Sequence, residues 1–416
     1  MNTARSTLIA ASLTFCTQLL AASIVPDTAF AACEPDRLQA SGAVYRICMP
    51  EPGRWNGSLI IWAHGYVAFN RPIAIPEDQL TLPDGTSIAA TINSLGYAFA
   101  TTSYSVNGLA VRQGLADVID LVDVFRSSKG PVQHTYLVGA SEGGLITTLG
   151  VEQRPDLFAG GLATCGPIGD FNKQIDYVGD FRVVFDYLFP GLIPGTPTEI
   201  PPDLVANWPA YYAGVVAPTV FAPANAARVQ QLLRVTHAPF DANDFFATAE
   251  RSVRDALFFN VVGGNDSNVK LGGQAFDNRR QLYFGSNNDL LLNLRVRRVT
   301  ADAAARAEVR AHYDTTGVLN RPLVTLHTLR DQQVPAWHEA LYAIKAVARG
   351  SADKLVAIPI DRYGHCNFTA PEVLIAFAIL IFKAEHRILV PQIQTLLPAP
   401  SRTEFQGLAR QQGLAR

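Results

Sequence analysis

The chain has 416 residues, 48% of them hydrophobic and 17% charged, which is material for one large globular domain or two ordinary ones. A formal net charge of -2 and a sequence pI near 6.5 exclude a broad electrostatic attraction to nucleic acid or to an anionic membrane. The short basic run Arg295-Val-Arg-Arg298 reads as a solvated face.

Residues 1–31 are set apart from the fold. Arg5 gives a positive start, Leu8 to Val25 is mostly apolar, and Ala29-Phe-Ala31 is a small-residue cleavage signal ahead of Ala32-Cys33. These features predict a secretory signal peptide cleaved after Ala31, and a mature protein that is periplasmic or secreted. The apolar run is too short for an uncleaved anchor, and Phe30 disfavours a lipoprotein acylated at Cys33. Cys16 leaves with the signal, so Cys33, Cys48, Cys165 and Cys366 remain, an even number suited to an oxidising compartment. Four cysteines permit three pairings. We expect Cys33 with Cys48, neighbours across a hairpin, and Cys165 with Cys366, which fall at the same end of a central sheet. The competing reading is four unrelated buried thiols.

The first part of the core spans 32–165. Within it, Ala43 to Met49 alternates like an early strand, and Pro50 to Gly57 is rich in turn formers. Ser58-Leu-Ile-Ile-Trp-Ala-His64-Gly65-Tyr66 is a continuous apolar run, as expected of a parallel strand buried on both faces. It ends at a glycine that lets the next backbone N–H turn inward. Gly96 to Thr102 reads as the next strand. Leu115, Val118, Ile119, Val122 and Phe125 then recur at helical spacing until Lys129-Gly-Pro.

At His134 to Val151 strand, sharp turn and helix follow one another, with Gly139-Ala-Ser141-Glu-Gly143 at the turn. A serine there is lifted clear of the sheet, and glycines two before and two after it permit the strained backbone and close packing of a nucleophile elbow. A further strand at Gly161 to Cys165 completes an alternation that predicts a mostly parallel, doubly wound α/β sheet.

From residue 166 to 320 the rhythm stops. Phe171, Tyr177, Phe181, Phe185 and Phe189 precede a proline-rich stretch, and helical patterns return around Ala242 to Phe259 and Ala301 to Tyr313. This segment predicts a mainly helical cap inserted into the sheet, its aromatics serving as cap core more than as substrate contacts. Gly263 to Asn268 lacks the spacing and closing glutamate of a calcium loop and is expected to be an ordinary turn. The core resumes over 321–398. Pro322 to His327 is a strand, Asp331 lies past its end, and a helix runs on through Ala348. Lys354 to Ile360 is the next strand, Arg362 to Asn367 a polar loop holding His365, and Pro371 to His386 an apolar helix. Its apolar run is too short for a comfortable membrane span, so stable membrane insertion is not expected. Residues 399–416, which carry Gln-Gly-Leu-Ala-Arg twice, are expected to be a flexible tail.

Ser141, Asp331 and His365 thus occur in the order nucleophile, acid, histidine, each after a different strand at one edge of the sheet. Serine is a poor nucleophile near neutral pH. His365 would take its proton, while Asp331 would hold the imidazole in the useful tautomer. The backbone N–H groups of Tyr66 and Glu142 are the expected oxyanion donors. His327 within a strand, His338 in a helix and His64 in the oxyanion loop suit structural roles, and Asp361 is too near His365 in sequence to replace Asp331. No residue spacing supports a zinc site, and no glycine-rich turn carries a phosphate-binding lysine.

Trp62-Ala-His64-Gly65-Tyr66, Gly139 to Gly143, Asp331 with Val334-Pro335, and Gly364-His365 together resemble the α/β-hydrolase superfamily, secreted bacterial esterase or lipase-like members in particular. The resemblance covers about residues 58–165 and 322–388, leaving the cap outside it. One departure is that Tyr66-Val67 follows His-Gly where some lipases and esterases have a glycine run. The resemblance implies an eight-stranded sheet and hydrolysis through an acyl-enzyme, with neither metal nor cofactor. The expected substrate is a small-molecule or polymer ester with an apolar or aromatic acyl group. An amidase or peptidase using the same triad, and a non-catalytic binding protein of this fold, are the alternatives.

Overall fold

Strand residues here follow the pattern of burial. Leu59–Ala63 (β4), Ala98–Thr102 (β5) and Gly160–Thr164 (β7) are buried at every position, the signature of parallel strands covered by helices on both faces. The computed structural model describes residues 32–415; the expected signal peptide lies outside them. The remaining strands are Ala32–Cys33 (β1), Arg37–Leu38 (β2), Val44–Met49 (β3), Thr135–Ala140 (β6), Leu323–Arg330 (β8) and Leu355–Tyr363 (β9). The sheet order is β1-β3-β5-β4-β6-β7-β8-β9, with β2 also paired to β3. From β5 across to β9 every pairing is parallel, while β3 runs antiparallel at one side. The expected eight strands are therefore nine, two of them only two residues long. The outermost strand at the far side is β9, where Pro359 stands opposite His327.

Helices cover both faces. Ile88–Ser94 (α1) lies on one, and Val111–Lys129 (α2) and Glu142–Gln153 (α3) on the other. Ser87 caps α1 by accepting the Ala90 N–H. The inserted segment folds as Phe171–Leu188 (α4), Pro202–Tyr211 (α5), Ala217–Val220 (α6), Ala226–Thr236 (α7), Phe245–Lys270 (α8), Asp289–Arg295 (α9) and Ala303–His312 (α10). Much of it closes on an apolar core of its own, in which Phe181, Phe185, Trp208, Leu232 and Leu257 are buried. The last helices are Trp337–Ala348 (α11), Ala370–Glu385 (α12), Val390–Leu396 (α13) and Ala399–Gln411 (α14). A capping box between Thr369 and Glu372 starts α12. No described helix is long and apolar enough to cross a membrane.

Two expectations are corrected. Gly263 to Asn268 is no turn, because α8 runs through it. The side chains of Asn265 and Asn268 bond the backbone at Ile200 and Thr198, and Val261 and Val262 are buried in the cap core, so tertiary contacts override weak helix formers. The expected flexible tail over 399–416 is not what the described residues 399–415 form. Most of that stretch is the continuous helix α14, whose Phe405 and Ala409 are buried in the same apolar cluster as α12.

Candidate active site

The carboxyl ends of β4, β6, β8 and β9 present His64-Gly65-Tyr66, Ser141, Asp331 and Gly364-His365 along one edge of the sheet. Ser141 stands between β6 and α3 at φ 58°, ψ -121°, a conformation costly for a residue with a side chain and held only by its surroundings. Two of those surroundings are glycines. A methyl group on Gly139 would collide with the Gly143 carbonyl, and one on Gly143 with the Ala63 carbonyl. The Ser141 N–H donates to the Thr164 carbonyl at 2.9 Å, tying the turn to β7.

Ser141 Oγ lies 2.8 Å from His365 Nε2, and His365 Nδ1 lies 2.7 Å from Asp331 Oδ2. The other carboxylate oxygen of Asp331 accepts the N–H groups of Gln333 and Val334, both at 2.9 Å. Its side chain is fully buried, whereas that of His365 keeps 12% exposure, enough for a substrate to reach the ring. A bulge between Thr328 and Arg330 bends the end of β8 just before Asp331, re-aiming that side chain. Thr328 Oγ1 donates to the Gly364 carbonyl at 2.6 Å, which ties the end of β8 to the loop bearing His365.

Tyr66 and Glu142 offer backbone N–H groups that donate to no other group among the described residues. The loop bearing Tyr66 is held by Gln79, whose Oε1 accepts the Gly65 N–H at 2.7 Å. Stacking of His64 on Tyr104 at 3.9 Å supports it from below. Burial holds His64 below the ordinary imidazole value, so the neutral ring donates from Nδ1 to the Gly65 carbonyl at 2.7 Å. Gln79 and Tyr104 were not anticipated from the sequence. Neither belongs to a local motif, and each reaches the loop from a different segment.

Two further histidines near the site, His338 and His327, fall into structural positions. His338 is buried, with Nδ1 accepting the Gly169 N–H at 2.9 Å. His327 faces the Val334 carbonyl at 2.8 Å through one ring nitrogen and Glu339 at 3.2 Å through the other. Burial alone would depress it, but the hydrogen bond and charge of Glu339 outweigh that and raise it above the ordinary value. The ring nitrogen that faces the Val334 carbonyl, Nε2, is also 3.6 Å from Asp331 Oδ2.

The Glu142 side chain is buried beside the serine, and burial pushes its carboxyl up to about 8. Its Oε1 accepts the Ala110 N–H at 2.7 Å, while Oε2 has no partner among the described residues. The sulfurs of Cys33 and Cys48, directly opposite each other on β1 and β3, are at bonding distance, and so are those of Cys165 and Cys366. Cys165, His365 and Cys366 bring three potential metal-ligand atoms together, but two of these are sulfurs bonded to each other, which are not thiolate ligands.

Two cavities meet at Ser141, Tyr66, Phe259 and Gln333. The larger, about 560 Å³, is walled by Ile60, Trp62, Val138 and Leu162 from one face of the sheet and by Leu374 and Phe377 of α12. Period-2 alternation sends these strand residues to the same side. The smaller, about 160 Å³, lies between Ser141 and the cap helices α4 and α8. Asp255 of α8, on the wall of the larger cavity, ties the cap to the loop after β8, its Oδ2 accepting from Gln332 at 2.7 Å and from Gln333 at 2.9 Å.

No family model and no curated protein matches the chain. Among solved structures, the chain overlaps Candida Antarctica lipase A at 14% identity and a TM-score of 0.42, covering 87% of this chain and 77% of that one. Feruloyl esterase B from Aspergillus oryzae overlaps at 13% identity and 0.43, covering 84% and 80%. Pyrococcus horikoshii acylaminoacyl peptidase overlaps at 12% and 0.39, covering 80% of this chain, which spans only 37% of that one. The chain's own features identify its architecture: a sheet running β1-β3-β5-β4-β6-β7-β8-β9, parallel from β5 onward, with Ser141 on the strained turn after β6. This is the α/β-hydrolase fold.

Proposed function

We propose that the protein is a secreted serine hydrolase that cleaves carboxylic esters through an acyl-enzyme. The observation that carries this reading is the unbroken hydrogen-bonded chain from Ser141 through His365 to buried Asp331, opening on a large apolar cavity. Ser141 Oγ attacks the ester carbonyl carbon as its proton passes to His365 Nε2. The carbonyl electron pair moves onto oxygen, where the N–H groups of Tyr66 and Glu142 receive it, a term of about 3 kcal/mol per donor. When the tetrahedral centre collapses, the bond to the leaving oxygen breaks and His365 returns the proton to it. Water then attacks the acyl-serine by the same route, its proton passing through His365 back to Ser141 Oγ. Asp331 keeps Nδ1 protonated and stabilises the imidazolium throughout.

The apolar walls of the larger cavity support an apolar or aromatic acyl group. Paired cysteines support an oxidising compartment, and N-terminal sequencing of exported protein should begin at Ala32; a start at Met1 would refute export with cleavage. The function is tested with p-nitrophenyl esters of increasing acyl length beside matched p-nitroanilides. Ester turnover that vanishes in Ser141→Ala is expected, and turnover confined to the anilides would replace the reading with an amidase. Failure of an organophosphonate to label Ser141 would instead leave a binding protein.

A further inference from the structure

The smaller cavity shares the Tyr66 hydroxyl with the larger one, whose other buried polar atom without a partner among the described residues is Trp62 Nε1, and adds Glu142 and Gln274 of its own. Three buried polar atoms on its lining residues lack partners among the described residues: Glu142 Oε2, the Tyr66 hydroxyl and Gln274 Oε1. Burying such atoms unpaired is costly, and native proteins satisfy them with water or a ligand, so a hydroxylated group that replaces water here keeps their hydrogen bonds. Carbon surfaces of Leu109, Phe171 and Phe276 complete the walls.

The cavity is also kept open by a local cost. Gly263 and Gly264 line it from the middle of α8, where glycine is the poorest helix former apart from proline. A Cβ at Gly264 would meet nothing within 4 Å, and one at Gly263 only the Tyr66 hydroxyl at 3.7 Å. Close packing against a neighbour therefore does not explain either glycine, and a side chain at Gly263 would grow toward the Tyr66 hydroxyl on the cavity wall.

We infer that this cavity is the leaving-group subsite, and that the substrate is an ester of an apolar acid with a small hydroxylated alcohol such as a glycerol-like polyol. The inference rests on the ester reading and adds the alcohol to it. A phenol, a carboxyl group and an amide carbonyl together both donate and accept, which matches hydroxyl groups. Burial keeps much of the Glu142 population neutral near neutral pH, so an uncharged partner fits better than an ammonium. The small volume takes only a short carbon skeleton, and the larger apolar cavity on the other side of Ser141 is left for the acyl chain.

The test compares kcat/KM for 1-monooctanoylglycerol and for propyl octanoate, which share the acyl group and differ in the two leaving-group hydroxyls. Wild type should prefer the glyceryl ester by about tenfold or more, as sites built to bond a hydroxyl do. Tyr66→Phe, which keeps the backbone N–H, and Gly263→Leu, which grows toward the Tyr66 hydroxyl, should each erase most of that ratio. The ratio is unaffected by a general loss of activity, and Tyr66→Phe remains informative where Gly263→Leu folds badly. Equal or better turnover of the propyl ester by wild type would overturn the subsite while leaving ester hydrolysis intact, and so would a preference that survives both variants. Hydrolysis of neither ester, with p-nitrophenyl esters also untouched, would mean that the ester reading itself had failed.

Discussion

Both carboxylate oxygens of Asp331 hold one geometry, since one faces His365 and the other accepts two backbone N–H groups. In Asp331→Asn the amide can no longer hold the imidazole in the same tautomer. We expect kcat for a p-nitrophenyl ester to fall by about 10⁴-fold with KM little changed; an effect on KM alone would argue against the assigned role. Glu142 yields a second prediction at this scale. Its folded value of about 8 stands above the ordinary 4.5, so the folded protein holds this proton more tightly than the unfolded chain. The stability it contributes is complete below pH 4.5 and is lost as pH rises through about 8. Urea midpoints across that window should decline less steeply in Glu142→Gln than in wild type, and parallel curves would refute the shift. Single residues were unevenly legible in the sequence. Ser141 announces itself because its constraint is local, two glycines and a strand-to-helix turn. Gln79, Tyr104 and the Glu339 partner of His327 do not, because each acts across a fold that must first exist.

Elements were legible where one pattern governed them. The apolar runs of β4 and β7 could be read directly, as could the helical spacing of α2, because burial on one or both faces writes the period into the chain. The long cap helix α8 was misread at Gly263-Gly-Asn-Asp-Ser-Asn268, whose local preference is for a turn and whose helix is imposed by contacts with the 198–200 segment. The same conflict predicts an inexpensive gain. Gly264→Ala adds a methyl group into open space and should raise stability by about 0.5–1 kcal/mol, read from the denaturant midpoint; a loss would mean that the site is packed. The terminal helix α14 was missed for a different reason, its buried face resting on few apolar residues, chiefly Phe405 and Ala409, among many polar ones.

At the scale of the molecule, the bridge between Cys165 and Cys366 joins the residue after β7 to the residue after His365, across a separation of 201 positions. Closing so long a loop is worth about 5 kcal/mol in the chain-entropy model, and the bridge also restrains the loop that aims the imidazole. Reduction is therefore expected to lower ester turnover together with thermal stability; full activity with both thiols free would show that the clamp does not matter to catalysis. The cavities belong to this scale too. They arise where β4, β6 and β7 face α12 and where α3 meets α8, and no single stretch of sequence contains them. The outermost strand of the sheet carries one more consequence. An open strand edge is a template on which another chain can add itself, and β9 is nine residues long. Pro359 lies in its middle and has no N–H to offer, while the opposite margin ends in two fragments of two residues each. Among the described residues, neither border offers a long unbroken run of backbone donors to a neighbouring molecule, a feature that works against fibrous self-association.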